Sequence, residues 1–87
     1  MADGRYFVAD VVLSALLVLS NQDCLQLFAA FDQIAGDPIG SARATGSDWD
    51  GRMIYLSRHG RFEIGYVVSP DGTMVTFTMI RPISTRR

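Results

Sequence analysis

Apolar and polar residues follow two different periods along the chain, and the change of period separates a helical part from a strand part. Residues 5–9 form a short aromatic and β-branched run that predicts a strand. Apolar residues then recur at helical spacing over residues 11–19 and again over residues 24–35. The pattern therefore predicts one strand followed by two helices.

The boundaries of these helices are marked by polar residues. Asp10 suits the N-cap of the first helix, and Ser20–Asp23 can cap the second. Gly36 is expected at the C′ position where the second helix ends. Leu13 and Leu17 lie beside the main apolar stripe, which predicts that the first helix is covered on more than one side. The short connection makes the pair an antiparallel hairpin.

A segment rich in Gly, Ser and Asp, residues 36–51, follows the helices and predicts a long loop. Loops of this length are uncommon in small domains and are often functional. Trp49 is its one large side chain. We expect Trp49 to pack over the edge of the core; the alternative is an exposed anchor for a partner.

The last third of the chain has the alternating pattern of strands. Three strands are predicted, over residues 52–58, 61–68 and 73–81. Ser69–Gly72 has the composition of a turn, because proline presets φ and glycine accepts a positive φ.

The register of the last two strands can be predicted from this turn. A four-residue loop places the large apolar side chains on one face, whereas a three-residue loop would split them between faces. The four-residue loop pairs Phe62 with Met79, Ile64 with Phe77, and Tyr66 with Val75. The helical hairpin should cover this face. The predicted fold class is α+β, with the order β-α-α-β-β-β and a mostly antiparallel sheet.

Composition and charge restrict the function. The 87 residues are 48% hydrophobic and 20% charged, which excludes a disordered tail. Eight arginines face nine acidic residues, which argues against a strongly basic nucleic-acid binder. Five arginines and the one histidine nevertheless lie beyond residue 57, against only Glu63 and Asp71. The sheet half is thus net basic, which permits a surface that faces RNA.

Cysteine and hydropathy point to a reducing cytoplasm. Cys24 is the one cysteine, so it forms no intramolecular disulfide, and we expect a buried small side chain. No Cys and His cluster has the spacing of a metal site, and no cofactor is predicted. The apolar run 11–19 is too short to span a bilayer, and residues 1–10 lack the basic region of a secretory signal.

The order of elements resembles the RelE/ParE superfamily of type II toxin–antitoxin toxins. The sequence FDQIAGDPIG, residues 31–40, is similar to the turn that closes the family's helical hairpin. The sequence GRFEIGYVVSPDGTMVTFTMIRP, residues 60–82, is similar to the family's strand hairpin. The resemblance implies a single RelE/ParE-like domain over residues 1–87. It also implies an antitoxin partner, and a target that is either mRNA in the ribosomal A site or DNA gyrase.

Cleavage of RNA without a metal needs a base for the 2′-hydroxyl, a proton donor for the leaving oxygen, and positive charge at the phosphate. Arg81 matches the late basic position of the family. His59 is the candidate general acid or base, because its ordinary pKa lies near neutrality, with Arg58 and Arg61 as phosphate clamps. The alternative is that His59 and Arg81 are solvated residues at a turn and a strand end.

Several residues depart from the pattern of a nuclease. Glu63 stands where RelE-like members usually have an arginine, and an acid repels phosphate. The family's lysine-rich stretch and its late Tyr or His have no clear equivalent, although Arg43 and Arg52 could extend a substitute cluster. Tyr66 is predicted to pack in the core. Arg86 and Arg87 form a basic tail that is either solvated or a phosphate contact.

Three functions therefore remain open at the level of sequence. The preferred one is a metal-independent endoribonuclease, an mRNA interferase that inhibits translation on the ribosome, favoured by the short helical hairpin. The second is a ParE-like gyrase inhibitor with no nuclease activity. The third is a non-toxic interaction module.

Overall fold

The computed structural model describes residues 6–47 and 50–83, and it has the α+β fold that the pattern predicts. The described elements are β1 (Tyr6–Val8), α1 (Asp10–Leu17), α2 (Asn21–Gly36), α3 (Pro38–Ser41), β2 (Ala44–Ser47), β3 (Met53–His59), β4 (Phe62–Val68) and β5 (Val75–Pro82). The predicted order is confirmed with two additions, α3 and β2, which both lie in the segment predicted as a loop.

Within these residues the sheet has five strands in the order β1-β5-β4-β3-β2. β1 runs parallel to β5 at one edge, and every other neighbouring pair is antiparallel. The last described strand thus pairs with the first. This pairing places the hairpins β3–β4 and β4–β5 in the middle of the sheet.

The core lies between α1, α2 and one face of the sheet, which we call the helix-covered face. Its buried residues are Val12, Leu16, Leu27, Ala30, Phe31, Ile34, Phe62, Ile64, Tyr66, Val75 and Phe77. The rings of Phe31 and Phe77 stack at a centroid distance of 4.2 Å, which joins α2 to β5. Tyr6 meets both rings edge-on and joins β1 to the same cluster.

The two helix starts differ from each other. Ser20 caps α2 as predicted, because its hydroxyl accepts a hydrogen bond from the Asp23 backbone N–H at 3.1 Å. The predicted N-cap at Asp10 is wrong: Ala9 holds that position and Asp10 is the first helical residue. The N–H of Ala9 still donates to the carbonyl oxygen of Phe77, so Ala9 is the one residue between β1 and α1 and bonds to both the sheet and the helix.

The prediction that α1 is covered on more than one side is also wrong for the described residues. Leu13 is 46% exposed and Leu17 is 86% exposed. α1 has only two turns, so Val12 and Leu16 are its two buried residues. An apolar side of α1 therefore remains open among the residues that the structure describes.

The segment predicted as a loop is more ordered than its composition indicates. Asp37 ends α2 and also caps α3, because its carboxylate accepts from the Gly40 N–H at 3.2 Å. Gly36 is consequently the last residue of α2 rather than a C′ glycine, and its φ is not positive. β2 is short, small-chained and exposed throughout, so it carries no alternating pattern. Trp49 lies outside the described residues.

The predicted register of β4 and β5 is wrong by two residues near the turn. Ser69–Gly72 does form the predicted turn, with a 2.9 Å hydrogen bond from Gly72 N–H to Ser69 O. The ladder begins only at the pair Val68 and Val75, however. The Asp71 carboxylate accepts from Ser69 Oγ and from both the N–H and the hydroxyl of Thr73, and these bonds hold the loop open to residue 74. Tyr66 accordingly pairs with Phe77 rather than with Val75.

A bulge changes the register again beyond this pair. Thr78 has no partner in β4, so Met79 pairs with Gly65 and Ile80 pairs with Ile64. Met79, predicted on the core face, therefore lies on the opposite face, and Ile80 packs against the core instead. The same shift brings Arg81 opposite Glu63.

Candidate functional site

The face of the sheet that α1 and α2 leave uncovered carries three rows of side chains, and we call it the open face. Successive side chains in a strand point to opposite faces, so Glu63, Gly65 and Val67 share this face of β4. Their cross-strand neighbours complete three rows: Arg81–Glu63–Arg58, Met79–Gly65–Leu56 and Phe7–Thr76–Val67. The open face is therefore charged at one end and mostly apolar at the other.

Glu63 is the most buried residue of the row Arg81–Glu63–Arg58. Arg81 donates to its Oε1 from Nη2 at 2.6 Å and from Nε at 2.8 Å. The side chain of Glu63 is 14% exposed and that of Arg81 is 66% exposed, so the guanidinium covers the carboxylate. Arg58 pairs with Glu63 from the neighbouring strand. Arg58, Glu63 and Arg81 thus line one depression, in which Arg81 forms an ion pair with Glu63.

Two adjoining depressions meet at Arg58 and Glu63. One, of about 280 Å³, is lined by Arg43, Ala44, Leu56, Ser57, Arg58 and Glu63. The other, of about 320 Å³, is lined by Arg58, Glu63, Arg81, Pro82 and Ile83. We call the joined depression the basic groove. The described residues that line it include three arginines and one carboxylate, and guanidinium groups bind phosphate and carboxylate oxygens through paired N–H groups.

His59 lies on the other face of the sheet. Ser57 is buried, and its hydroxyl lies 2.9 Å from the carbonyl oxygen of Ser41 and 3.0 Å from His59 Nε2. A carbonyl can only accept, so Ser57 donates to Ser41 and accepts from His59. The imidazole therefore carries its proton on Nε2. Burial lowers the pKa of His59 below its ordinary value of 6.5.

Arg61 is also turned away from the basic groove. It follows Gly60, whose φ of 61° forms the tight turn between β3 and β4. Its Nη2 donates to Asp23 Oδ2 at 2.6 Å, and its guanidinium lies 5.4 Å from the centre of the Phe62 ring. Arg61 thereby ties the turn to the first turn of α2.

The structure thus divides the four residues that the sequence singles out. Arg58 and Arg81 meet in the basic groove, whereas His59 and Arg61 do not join them. Arg43 does line the groove, but Arg52 lies by the depression at the far end of the open face. The arrangement is missed at the level of sequence because a bulge, which no local pattern announces, moves Arg81 to this face. Arg86 and Arg87 lie outside the described residues.

Tyr66 lies in the core as the sequence predicts, whereas Cys24 is less buried than expected. Tyr66 is fully buried, and its hydroxyl donates to the carbonyl oxygen of Pro38 at 2.6 Å. Burial raises the pKa of Tyr66 to about 12, with smaller contributions from Tyr55 and Asp37. Cys24 is half-buried against the core, and its thiol donates to the carbonyl oxygen of Leu16 at 3.3 Å.

No group of three or more His, Cys, Asp or Glu side chains within residues 6–47 and 50–83 is placed to hold a metal ion. None of the described helices is long and apolar enough to cross a membrane.

Comparison with known proteins identifies the fold. No family model matches the sequence, and no curated protein matches it significantly. Among solved structures, a chain of the archaeal RelE–RelB complex from Pyrococcus horikoshii OT3 is similar, with a TM-score of 0.73 and 16% sequence identity. The match covers 94% of this chain and 97% of that one. The chain therefore has the fold of that chain of the RelE–RelB complex, as the order of its elements predicted.

Proposed function

We propose that this chain is the toxin of a type II toxin–antitoxin pair and that it arrests growth by cutting mRNA on the ribosome. The basic groove is the observation that carries the proposal, because it gathers Arg43, Arg58 and Arg81 on an accessible sheet face. The likeness in fold to a RelE–RelB chain supports the toxin assignment and an antitoxin as the partner.

The groups in the groove suit cleavage by the 2′-hydroxyl of the RNA itself. In this proposal Arg58 and Arg81 hold the scissile phosphate and stabilise the charge that develops on it. Glu63 takes the proton of the 2′-hydroxyl as the bond from the 2′ oxygen to phosphorus forms. The bond from phosphorus to the 5′ oxygen breaks, and water in the open groove supplies a proton to that oxygen. Glu63 is then a base beside Arg81 rather than an obstacle to phosphate binding.

Growth after induced expression in a heterologous bacterium tests the toxin assignment. We expect arrest, and we expect co-expression of an adjacent antitoxin-like reading frame to restore growth. The double variant Arg58→Gln and Arg81→Gln should abolish arrest. Arg61→Gln removes an equally short ion pair outside the groove, so it should retain arrest. Unimpeded growth with the wild-type chain would leave the non-toxic interaction module as the correct function.

The site of mRNA cleavage is tested with purified ribosomes, mRNA and protein. Programmed ribosomes are incubated with the protein and the mRNA ends are mapped. We expect cuts at the codon in the A site, and we expect Glu63→Gln to slow them by about 100-fold or more if Glu63 is the base. Intact message at excess protein would exclude the nuclease.

A gyrase inhibitor is the second function that an observation favours. Arg61, Arg81 and His59 all have partners within the chain, and Leu13 and Leu17 offer an exposed apolar surface for a protein target. A supercoiling assay separates the two functions. Inhibition of gyrase together with intact mRNA would favour the gyrase inhibitor over the nuclease. Unchanged supercoiling at excess protein would exclude the gyrase inhibitor.

A further inference from the structure

Arg81 contacts Glu63 through only one edge of its guanidinium group. Its Nε lies 2.8 Å and its Nη2 lies 2.6 Å from the same carboxylate oxygen, Oε1. A guanidinium carries five N–H donors in a planar fork, so these two bonds leave both N–H groups of Nη1 and one of Nη2 outside the contact. These remaining donors form the Nη1–Nη2 edge, which can bind two oxygens of a phosphate at once.

The two side chains of this ion pair differ in how firmly the sheet holds them. Glu63 has a strand neighbour on each side, Arg58 in β3 and Arg81 in β5, and its side chain is largely buried. Arg81 is the second-last residue of β5, and its side chain is mostly exposed. Fixing a long, exposed side chain in one rotamer costs conformational entropy. We infer that Glu63 is the fixed member of the pair and that Arg81 is the member it holds in place.

We propose that Glu63 is a positioning residue for Arg81. Its Oε1 holds the Nε–Nη2 edge, so that the Nη1–Nη2 edge is presented to a phosphate in the basic groove. The ion pair persists when the phosphate binds, because the two anions use different edges of one guanidinium. Phosphate then binds more tightly, since the arginine is already ordered before it arrives. That this phosphate belongs to RNA rests on the proposed function, whereas the contact that orients Arg81 does not.

Positioning of Arg81 is separate from the proposed role of Glu63 as a base. Both bonds from Arg81 end on Oε1, so Oε2 is the oxygen left to take the proton of the 2′-hydroxyl. Glu63→Gln keeps an oxygen that can accept both N–H groups, but its amide cannot act as the base. Glu63→Ala removes the acceptor as well. The two variants therefore separate positioning from proton transfer.

Binding of a labelled ten-nucleotide single-stranded RNA measures the positioning with the purified full chain. The RNA carries 2′-O-methyl groups, so it cannot be cut through its 2′-hydroxyls, and fluorescence anisotropy gives its affinity. Both substitutions remove one negative charge, so they are compared with each other rather than with the wild-type chain. We expect Glu63→Ala to bind this RNA about fivefold more weakly than Glu63→Gln, because only the glutamine retains the orientation of Arg81. Circular dichroism and thermal unfolding establish that each variant is folded.

Two controls show whether the difference acts through Arg81. Combined with Arg81→Gln, the two substitutions at Glu63 should give equal affinities, because the side chain that they position is gone. The second control is the ion pair of Arg61 with Asp23, which has the same length of 2.6 Å and lies outside the basic groove. Asp23→Asn and Asp23→Ala should bind the RNA equally.

Four results would overturn the positioning role. They are equal affinities for Glu63→Gln and Glu63→Ala, a difference that persists with Arg81→Gln, a difference of the same size at Asp23, and no binding of the RNA by the wild-type chain. Failure of the proposed function looks different. A chain that permits growth yet shows the expected difference would retain the positioning role and lose the toxin assignment. A chain that arrests growth with equal affinities for the two variants would retain the toxin assignment and lose the positioning role.

Discussion

Arg58 and His59 are adjacent in the chain, yet they lie on opposite faces of one sheet and have different surroundings. His59 is half-buried on the helix-covered face, with its ring nitrogen bonded to Ser57. Arg58 is exposed on the open face, beside a carboxylate that Arg81 already holds. Side-chain alternation alone produces this division. Reactive residues that are neighbours in the sequence therefore do not form one site when they lie in a strand, because their side chains point to opposite faces.

The two faces also differ in what their contacts do. On the helix-covered face, Tyr66 and Ser57 each donate to a backbone carbonyl of α3, and the surrounding side chains are buried. On the open face, Arg81 and Glu63 form an ion pair whose guanidinium is largely in solvent. Buried hydrogen bonds and packing contribute more to folding than exposed ion pairs do. We infer that the helix-covered face maintains the fold and the open face is available for binding.

The largest effect on stability is expected from a substitution that empties the core. Phe77→Ala should lower the free energy of unfolding by about 3–5 kcal/mol, because the ring is fully buried and stacks on Phe31. Met79→Ala, two residues along on the open face, should lower it by only about 1 kcal/mol. Chemical denaturation of both variants measures the difference. Equal losses would contradict the division of the sheet into two unlike faces.

The next effect concerns the hydrogen bond that joins the sheet to α3. Tyr66→Phe removes the donor to Pro38 and should cost about 1 kcal/mol, whereas Tyr55→Phe should stay within about 0.5 kcal/mol. Because the pKa of Tyr66 is raised to about 12, its contribution is complete below pH 10. It should decline as the pH rises from 10 towards 12. Thermal unfolding over that range in wild type and Tyr66→Phe tests this; parallel curves would show that Tyr66 is not the titrating group.

The sequence predicts the helix-covered face better than the open face, and the reason is physical. Residues such as Phe77, Ile64 and Tyr66 are apolar at regular spacing, so their burial is evident from period alone. The position of Arg81 depends on two features that the spacing of apolar residues does not show. One is the loop that Asp71 extends by its hydrogen bonds, and the other is the bulge at Thr78. Together they move the register by three residues.

The edge strand and α3 were missed for a different reason. β2 is exposed on both sides and has small side chains, so burial imposes no pattern on it. α3 is one turn long and depends on the Asp37 cap and on Pro38 at its start. Both elements are fixed by hydrogen bonds to residues distant in sequence, such as the contact of Ser57 with Ser41.

A smaller effect is expected from protonation of His59. Its pKa is lowered in the folded chain, so the neutral ring contributes stability that is complete above the ordinary value of 6.5. That contribution is lost as the pH falls through the lower, folded value. Thermal unfolding between about pH 7.5 and pH 5.5 should show a falling midpoint. His59→Gln, which keeps an N–H for Ser57, should flatten this part of the curve; an unchanged slope would assign the titration elsewhere.

The smallest effect on stability is expected at the ion pair that is most prominent on the open face. Arg81→Gln should lower the free energy of unfolding by less than about 1 kcal/mol, because the guanidinium is mostly exposed and solvent screens its charge. Arg61→Gln breaks a pair of the same length and similar exposure, so its loss should match. The two variants should nevertheless differ in growth arrest, which Arg81→Gln weakens and Arg61→Gln retains. A loss of several kcal/mol for Arg81→Gln would instead make the Glu63 pair part of the fold, and any effect on arrest would then follow from unfolding rather than from the basic groove.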